Sequence, residues 1–229
     1  MLVMLVPYLT VPFSFSESSW QWLQETVKPI AEDYQLNAPS NAALVIPSSD
    51  FFLQWNTSTA RTELQEFFKK FNLRTGDIQF FIYKKLENPI REARGNPHID
   101  TTRSPLNLSA DARDVTFRFN ILIYGDEDTE MVWWNKNRYD PAIISMKFLR
   151  PDGSYSARLQ VAGNSIEERY LNIKDPDFSS NDLAILNKKS SFVRTDILHA
   201  LHWNGKNPRF TLSVRFFQPW SMIENTKTL

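Results

Sequence analysis

Three histidines occur in this 229-residue chain, at positions 98, 199 and 202. Pro97-His98-Ile99-Asp100 places an imidazole and a carboxylate two residues apart. In an extended segment residues i and i+2 point to the same side, so His98 and Asp100 can reach one ion together. With His199 they make two histidines and one carboxylate. Such a set occupies one face of an octahedral iron and leaves the opposite positions open for substrate and oxygen. Arg209 follows His199 by ten positions, and a metal ligand and a cation on neighbouring strands can hold a dianion between them. The chain has no cysteine, which excludes disulfides and thiolate sites and leaves His, Asp, Glu and water as ligands.

The elements that must position these groups can be read around them. Residues 195–216 are expected to form two strands joined by a turn, a hairpin. Ile197 to Trp203 is a short apolar run, and Asn204-Gly205-Lys206-Asn207-Pro208 is turn chemistry. Phe210, Leu212, Val214 and Phe216 then alternate with Thr211, Ser213 and Arg215, the pattern of a half-buried strand. His199 and His202 differ by an odd number and so face opposite sides of a regular strand. Only His199 has a basic residue ten positions later, because position 212 is Leu.

The ordered set His98-x-Asp100, distal His199 and Arg209 resembles the iron(II)- and 2-oxoglutarate-dependent dioxygenases, over roughly residues 78–217. The resemblance implies a mainly β fold with flanking helices, a double-stranded β-helix or cupin-like jelly roll. It implies that His98, Asp100 and His199 bind Fe(II) and that Arg209 pairs with the far carboxylate of 2-oxoglutarate. With O2 as oxidant, the implied products are succinate, carbon dioxide and a hydroxylated substrate. That substrate is a small molecule or a protein side chain. Two other readings keep the barrel: a non-catalytic ligand-binding jelly roll, and a cupin-type metalloenzyme that does not use 2-oxoglutarate.

Residues 1–229 read as a single domain. Residues 1–76 supply an N-terminal strand and supporting helices, and residues 77–217 form the jelly-roll core with an insert at 136–181. Trp20, Leu23, Val27 and Ile30 recur at helical spacing, with Pro29 expected to end or kink that helix. A second helix is expected over 56–71, capped by Thr57 or Ser58, with Leu64, Phe67, Phe68 and Phe71 on its apolar face. Residues 77–84 read as the first core strand. In Val115–Tyr124, strict alternation puts Arg118, Asn120 and Tyr124 on one polar face, as candidates to contact co-substrate or substrate. Arg215 shares Arg209's face by parity. Of Trp133 and Trp134, one is expected to enter the pocket and the other to pack. Strands are expected at 143–149 and 154–161. Residues 162–181 read as irregular, and the resemblance implies that an insert here covers the site and selects substrate.

The 26 basic and 26 acidic residues cancel, so bulk charge points to no nucleic-acid partner. The apolar run Met1–Val6 is too short for a membrane span and lacks the charged start of a signal peptide, so the expectation is a soluble cytoplasmic protein.

Overall fold

Alternating apolar and polar positions build two antiparallel sheets that face each other, with helices on their outer surfaces. The computed structural model describes residues 7–37, 42–45, 49–74, 78–83, 93–100, 115–125, 129–149, 155–179, 190–203 and 209–224. In chain order the strands are β1 (Tyr8–Thr10), β2 (Ala42–Val45), β3 (Ile78–Tyr83), β4 (Ala93–Arg94), β5 (His98–Ile99), β6 (Phe117–Gly125) and β7 (Thr129–Asn137). They continue as β8 (Ile143–Leu149), β9 (Tyr155–Val161), β10 (Phe178–Ser179), β11 (Ser191–Arg194), β12 (Ile197–Trp203) and β13 (Arg209–Phe216). The first sheet runs β1-β11-β6-β13-β3-β2 and the second β10-β7-β12-β5-β9-β8, with β4 also paired to β12.

Eight of these strands make a jelly roll. Followed along the chain, β3, β6, β11 and β13 lie in the first sheet, while β5, β7, β10 and β12 lie in the second. Successive strands therefore cross from sheet to sheet, apart from β7 and β10, which pair with each other. The β8–β9 ladder extends the second sheet beyond β5.

This topology corrects the expected hairpin. β12 and β13 are consecutive but belong to opposite sheets. β12 pairs with β7, β5 and β4, whereas β13 pairs with β3 and β6. Alternation reports which residues share a face; it does not report which sheet a strand joins. His199 and Arg209 thus approach one interior from opposite walls.

The largest core lies on the outer face of the first sheet. Helices α1 (Glu17–Asn37), α2 (Ser49–Thr57) and α3 (Thr59–Lys69) flank this sheet. Leu23 and Val27 of α1 and Leu64, Phe67 and Phe68 of α3 join Phe117, Phe119, Phe192, Leu212 and Phe216 in one buried cluster. Phe68 makes edge-to-face contacts with Phe119 and Phe216, both at ring-centroid distances of 5.0 Å. Pro29 does not end α1, which continues to Asn37. Pro29 lies on the exposed side, where water can satisfy the carbonyl that loses its hydrogen bond. Ser58 caps α3, its hydroxyl accepting from the Arg61 N–H at 3.1 Å. The helix expected over 56–71 is thus α3, capped at Ser58, and α2 is a further helix just before it that periodicity did not indicate.

Residues 162–181, expected to be irregular, contain α4 (Ile166–Ile173) and β10. α4 packs on the outer face of the second sheet, where Ile173 and Tyr170 meet Ile99, Val132, Trp134, Leu198 and Ala200. A short α5 (Ser221–Glu224) ends the described chain. The apolar run 1–6 and the turn segment expected at 204–208 lie outside the described residues. Among the described residues no helix is long and apolar enough to cross a membrane.

Phe68→Ala is expected to destabilise the protein by about 3–5 kcal/mol, because a fully buried ring leaves a cavity between α3 and the sheet. Ser58→Ala should cost about 1 kcal/mol. Urea unfolding measures both, and equal losses would contradict this packing.

Candidate metal centre

His98, Asp100 and His199 converge between the sheets. One ligand atom from each lies within 4.8 Å of the others, the only such group among the described residues. His98 on β5 is the direct register partner of His199 on β12, and their rings stand 4.6 Å apart. Ile99, between His98 and Asp100, points to the opposite core under α4. The period-two reading of His-x-Asp therefore matches the strand. Asp100 is held at the end of β5 by its N–H, which donates to the Thr195 carbonyl at 3.0 Å.

Both imidazoles are oriented in the same way. His98 Nδ1 lies 2.7 Å from the Asn96 carbonyl, and His199 Nδ1 lies 2.9 Å from the Ile197 carbonyl. A carbonyl only accepts, so each Nδ1 carries the proton and each Nε2 keeps its lone pair. In both cases the acceptor is the carbonyl two residues earlier. At His199 this coincides with a break in the β12–β7 register between Ile197 and His199.

The carboxylate has two oxygens with separate tasks. Asp100 Oδ1 faces His98 Nε2 at 3.6 Å, and Oδ2 accepts from Arg118 Nε. Two cis ligands at bond lengths of about 2.1 Å stand about 3 Å apart. A contraction of a few tenths of an ångström at this pair would therefore suit a small divalent ion. The donor set of two neutral imidazole nitrogens and one carboxylate oxygen fits Fe(II) with open positions.

Electrostatics favour an ionised Asp100 and a neutral His199. Burial opposes ionisation of Asp100, but the adjoining Arg118 guanidinium outweighs it and holds the carboxyl well below its usual range. Burial, reinforced by neighbouring His98, lowers His199 to about 3. At neutral pH the site thus presents a neutral His199 and an ionised Asp100.

The remaining expected residues divide. Arg118, expected to touch a co-substrate, is engaged with Asp100, and its Nη1 donates to Gln79 Oε1 at 2.9 Å and Ser213 Oγ at 3.3 Å. Ser213 in turn donates to Asn120 Oδ1 at 2.7 Å, which ties Asn120 to the same network. Arg209 is buried, and it shares a strand face with Thr211, Ser213 and Arg215. Arg215 stands opposite Arg118 in the β13–β6 register.

Tyr124 is a correction. The β13–β6 register shifts between Phe210 and Thr211, so that Phe210 pairs with Tyr124 but Thr211 pairs with Leu122. This irregularity turns Tyr124 to Phe210's side, against the helix-facing core. The two tryptophans face opposite ways, as expected: Trp133, the register partner of His199, lies between the sheets, and Trp134 packs under α4. Trp133 and Trp134 are both buried, and their indole N–H groups donate to the Arg194 carbonyl at 3.0 Å and the Lys174 carbonyl at 3.1 Å. His202 faces away from the triad. Its Nε2 lies 2.8 Å from the Tyr170 hydroxyl and its Nδ1 3.6 Å from Glu130.

The sequence reading missed Gln79 and Thr211. Thr211 could have been found by parity, since it lies two residues after Arg209. Its hydroxyl is buried and has no hydrogen-bond partner among the described residues.

No family model matches the chain, and no curated protein matches it. Solved structures of similar shape exist. A Pseudomonas putida prolyl-4-hydroxylase is 10% identical over 93% of this chain and 92% of its own, with a TM-score of 0.39. EctD from S. alaskensis, crystallised with 2-oxoglutarate and 5-hydroxyectoine, is 10% identical over 92% of this chain and 72% of its own, at 0.45. EvdMO1 is 13% identical over 93% of this chain and 47% of its own, at 0.47. At these identities and TM-scores the fold rests on the strand order and the site on its own geometry.

Two outcomes follow from the site. Arg118→Met should destabilise the metal-free protein by about 3–5 kcal/mol, because it leaves Asp100 buried without its counter-charge. A loss below about 1 kcal/mol in urea unfolding would contradict the buried pair. The second outcome concerns pH. His199 titrates near 6.5 when unfolded and about 3 when folded. The unfolded chain therefore takes up a proton first. The stability owed to neutral His199 is complete above about pH 6.5 and declines toward pH 3, by up to about 1.4 kcal/mol per unit. His199→Gln should flatten the difference in urea stability between pH 7 and pH 5; an unchanged difference would contradict the assignment.

Proposed function

We propose that this protein is an iron(II)- and 2-oxoglutarate-dependent oxygenase that hydroxylates a small molecule or a protein side chain. The observation that carries the reading is the convergence of one ligand atom each from His98, His199 and Asp100, with both Nδ1 atoms engaged by backbone carbonyls so that Nε2 is left for an ion. When bound, iron and 2-oxoglutarate supply the oxidising chemistry, in which O2 converts 2-oxoglutarate to succinate and carbon dioxide and one oxygen atom enters a substrate C–H bond. The chain's own residues bind and orient. His98, His199 and Asp100 hold one face of the ion and leave the other open. Arg118 keeps Asp100 ionised and restricts it to ligation through Oδ1. Arg209, buried at the start of β13, supplies a planar cation suited to a distal carboxylate, and Thr211 offers a hydroxyl on the same face.

Iron-loaded protein under air should form succinate from 2-oxoglutarate, slowly even without its prime substrate, and Asp100→Ala should abolish this. Arg209→Met should raise the KM for 2-oxoglutarate about 30-fold, equivalent to about 2 kcal/mol for one truncated member of a buried ion pair. Binding of 2-oxoglutarate without succinate formation would favour a ligand-binding jelly roll. Metal binding without any 2-oxoglutarate binding would favour a metalloenzyme that does not use it.

A further inference from the structure

Helix α4 lies behind the second sheet, on the side away from the triad, yet it reaches the His98 arm at two points. Arg169 Nη1 donates to Asn96 Oδ1 at 3.0 Å, and Asn96 Nδ2 donates to the buried Gln160 Oε1 at 2.5 Å. Asn96 is the residue whose carbonyl receives the His98 Nδ1 proton. One position earlier, the Tyr170 hydroxyl donates to the Gly95 carbonyl at 3.0 Å, leaving its oxygen to accept from His202 Nε2.

The arm itself is pressed against β12. The Gly95 N–H donates to the Leu201 carbonyl at 2.7 Å, and a Cβ on Gly95 would stand 2.6 Å from that oxygen. Only glycine permits this approach.

α4 is anchored independently of the arm. Ser165 Oγ accepts from the Glu168 N–H at 3.1 Å, and Glu168 Oε2 accepts from the Asn164 N–H at 2.7 Å, a reciprocal cap. Asn172 Nδ2 donates to the Ala162 carbonyl at 2.8 Å. Arg169 Nε donates to the Gly163 carbonyl at 3.1 Å, at a glycine whose φ of +154° and missing Cβ make room for the arginine stem. The guanidinium thus bridges a fixed loop to Asn96.

We propose that Arg169 and Tyr170 are positioning residues for the metal centre. They clamp Gly95 and Asn96 so that the Asn96 carbonyl selects the His98 tautomer with Nε2 available to the ion. The proposal rests on the metal-binding reading of the triad. A group that orients a ligating imidazole through its other nitrogen changes metal affinity about 10- to 100-fold when lost.

Cobalt(II) titration of the full chain, followed by its visible ligand-field spectrum, tests this without turnover. Tyr170→Phe keeps the ring packed on Trp134, at a centroid distance of 5.8 Å, and removes only the hydroxyl. Arg169→Met keeps the stem and removes the guanidinium. Each should weaken cobalt binding about ten-fold or more and alter the spectrum. Leu171→Ala, at a side chain 80% exposed on the same helix, should change neither. If Arg169→Met does not fold by circular dichroism, Arg169→Lys, which can reach only one of the two oxygens, replaces it with the same expectation. Wild-type affinity and spectrum in the folded clamp variants would overturn the inference. If His98→Ala loses the metal while they retain it, the centre stands and only the clamp falls. No cobalt binding by the wild type would overturn both.

Discussion

The buried ion pair between Arg118 and Asp100 is the constraint on which the site depends. A carboxylate in the interior of a sandwich is stable as an anion only beside a fixed cation. Arg118 supplies it from the opposite sheet, and Gln79 and Ser213 hold the guanidinium in turn. Without this pair Asp100 would either take up a proton or turn toward water, and the two imidazoles would face no anion. With it, Asp100 contributes a single oriented oxygen opposite two neutral nitrogens. The same contact joins the two walls of the barrel at the triad.

A polar interior must be stabilised from elsewhere. Here the apolar contacts are concentrated on the outer faces. Phenylalanines 68, 117, 119, 192 and 216 lock the helices onto the first sheet, and Ile99, Leu198 and Trp134 lock α4 onto the second. Between the sheets, Met131, Trp133, Val193 and Ile197 form a smaller apolar cluster. The inner face of β13 can therefore carry Arg209, Thr211, Ser213 and Arg215 while its outer face packs Phe210, Leu212, Val214 and Phe216. One strand thereby serves both core and site.

The triad was legible because its signals are local. His98 and Asp100 obey strand parity, and with three histidines in the chain the choice for the third ligand lay between His199 and His202. The structure brings His199 to His98 and Asp100, whereas His202 lies on the far side beside Tyr170. What was not legible is non-local or irregular. Alternation in 197–216 is compatible with a hairpin and with a crossing between sheets, and only the sheet partners distinguish them. The register shift near Ile123 turned Tyr124, and no composition signal marks it. Arg118 was visible as an inward residue, but its acceptor lies eighteen positions away in another sheet. The Arg169–Asn96 contact spans 73 positions. Ser165-Ile-Glu-Glu168, by contrast, is a capping box that could have predicted α4 from the sequence alone.

The most direct measurement is a crystal structure of the protein loaded with manganese(II), with the ion located by its anomalous scattering. The account predicts one ion between the sheets, bound by Nε2 of His98, Nε2 of His199 and Oδ1 of Asp100, with Arg118 still on Oδ2 and the opposite face open. An ion ligated through either Nδ1, an Asp100 released from Arg118, or an ion bound elsewhere in the chain would contradict it.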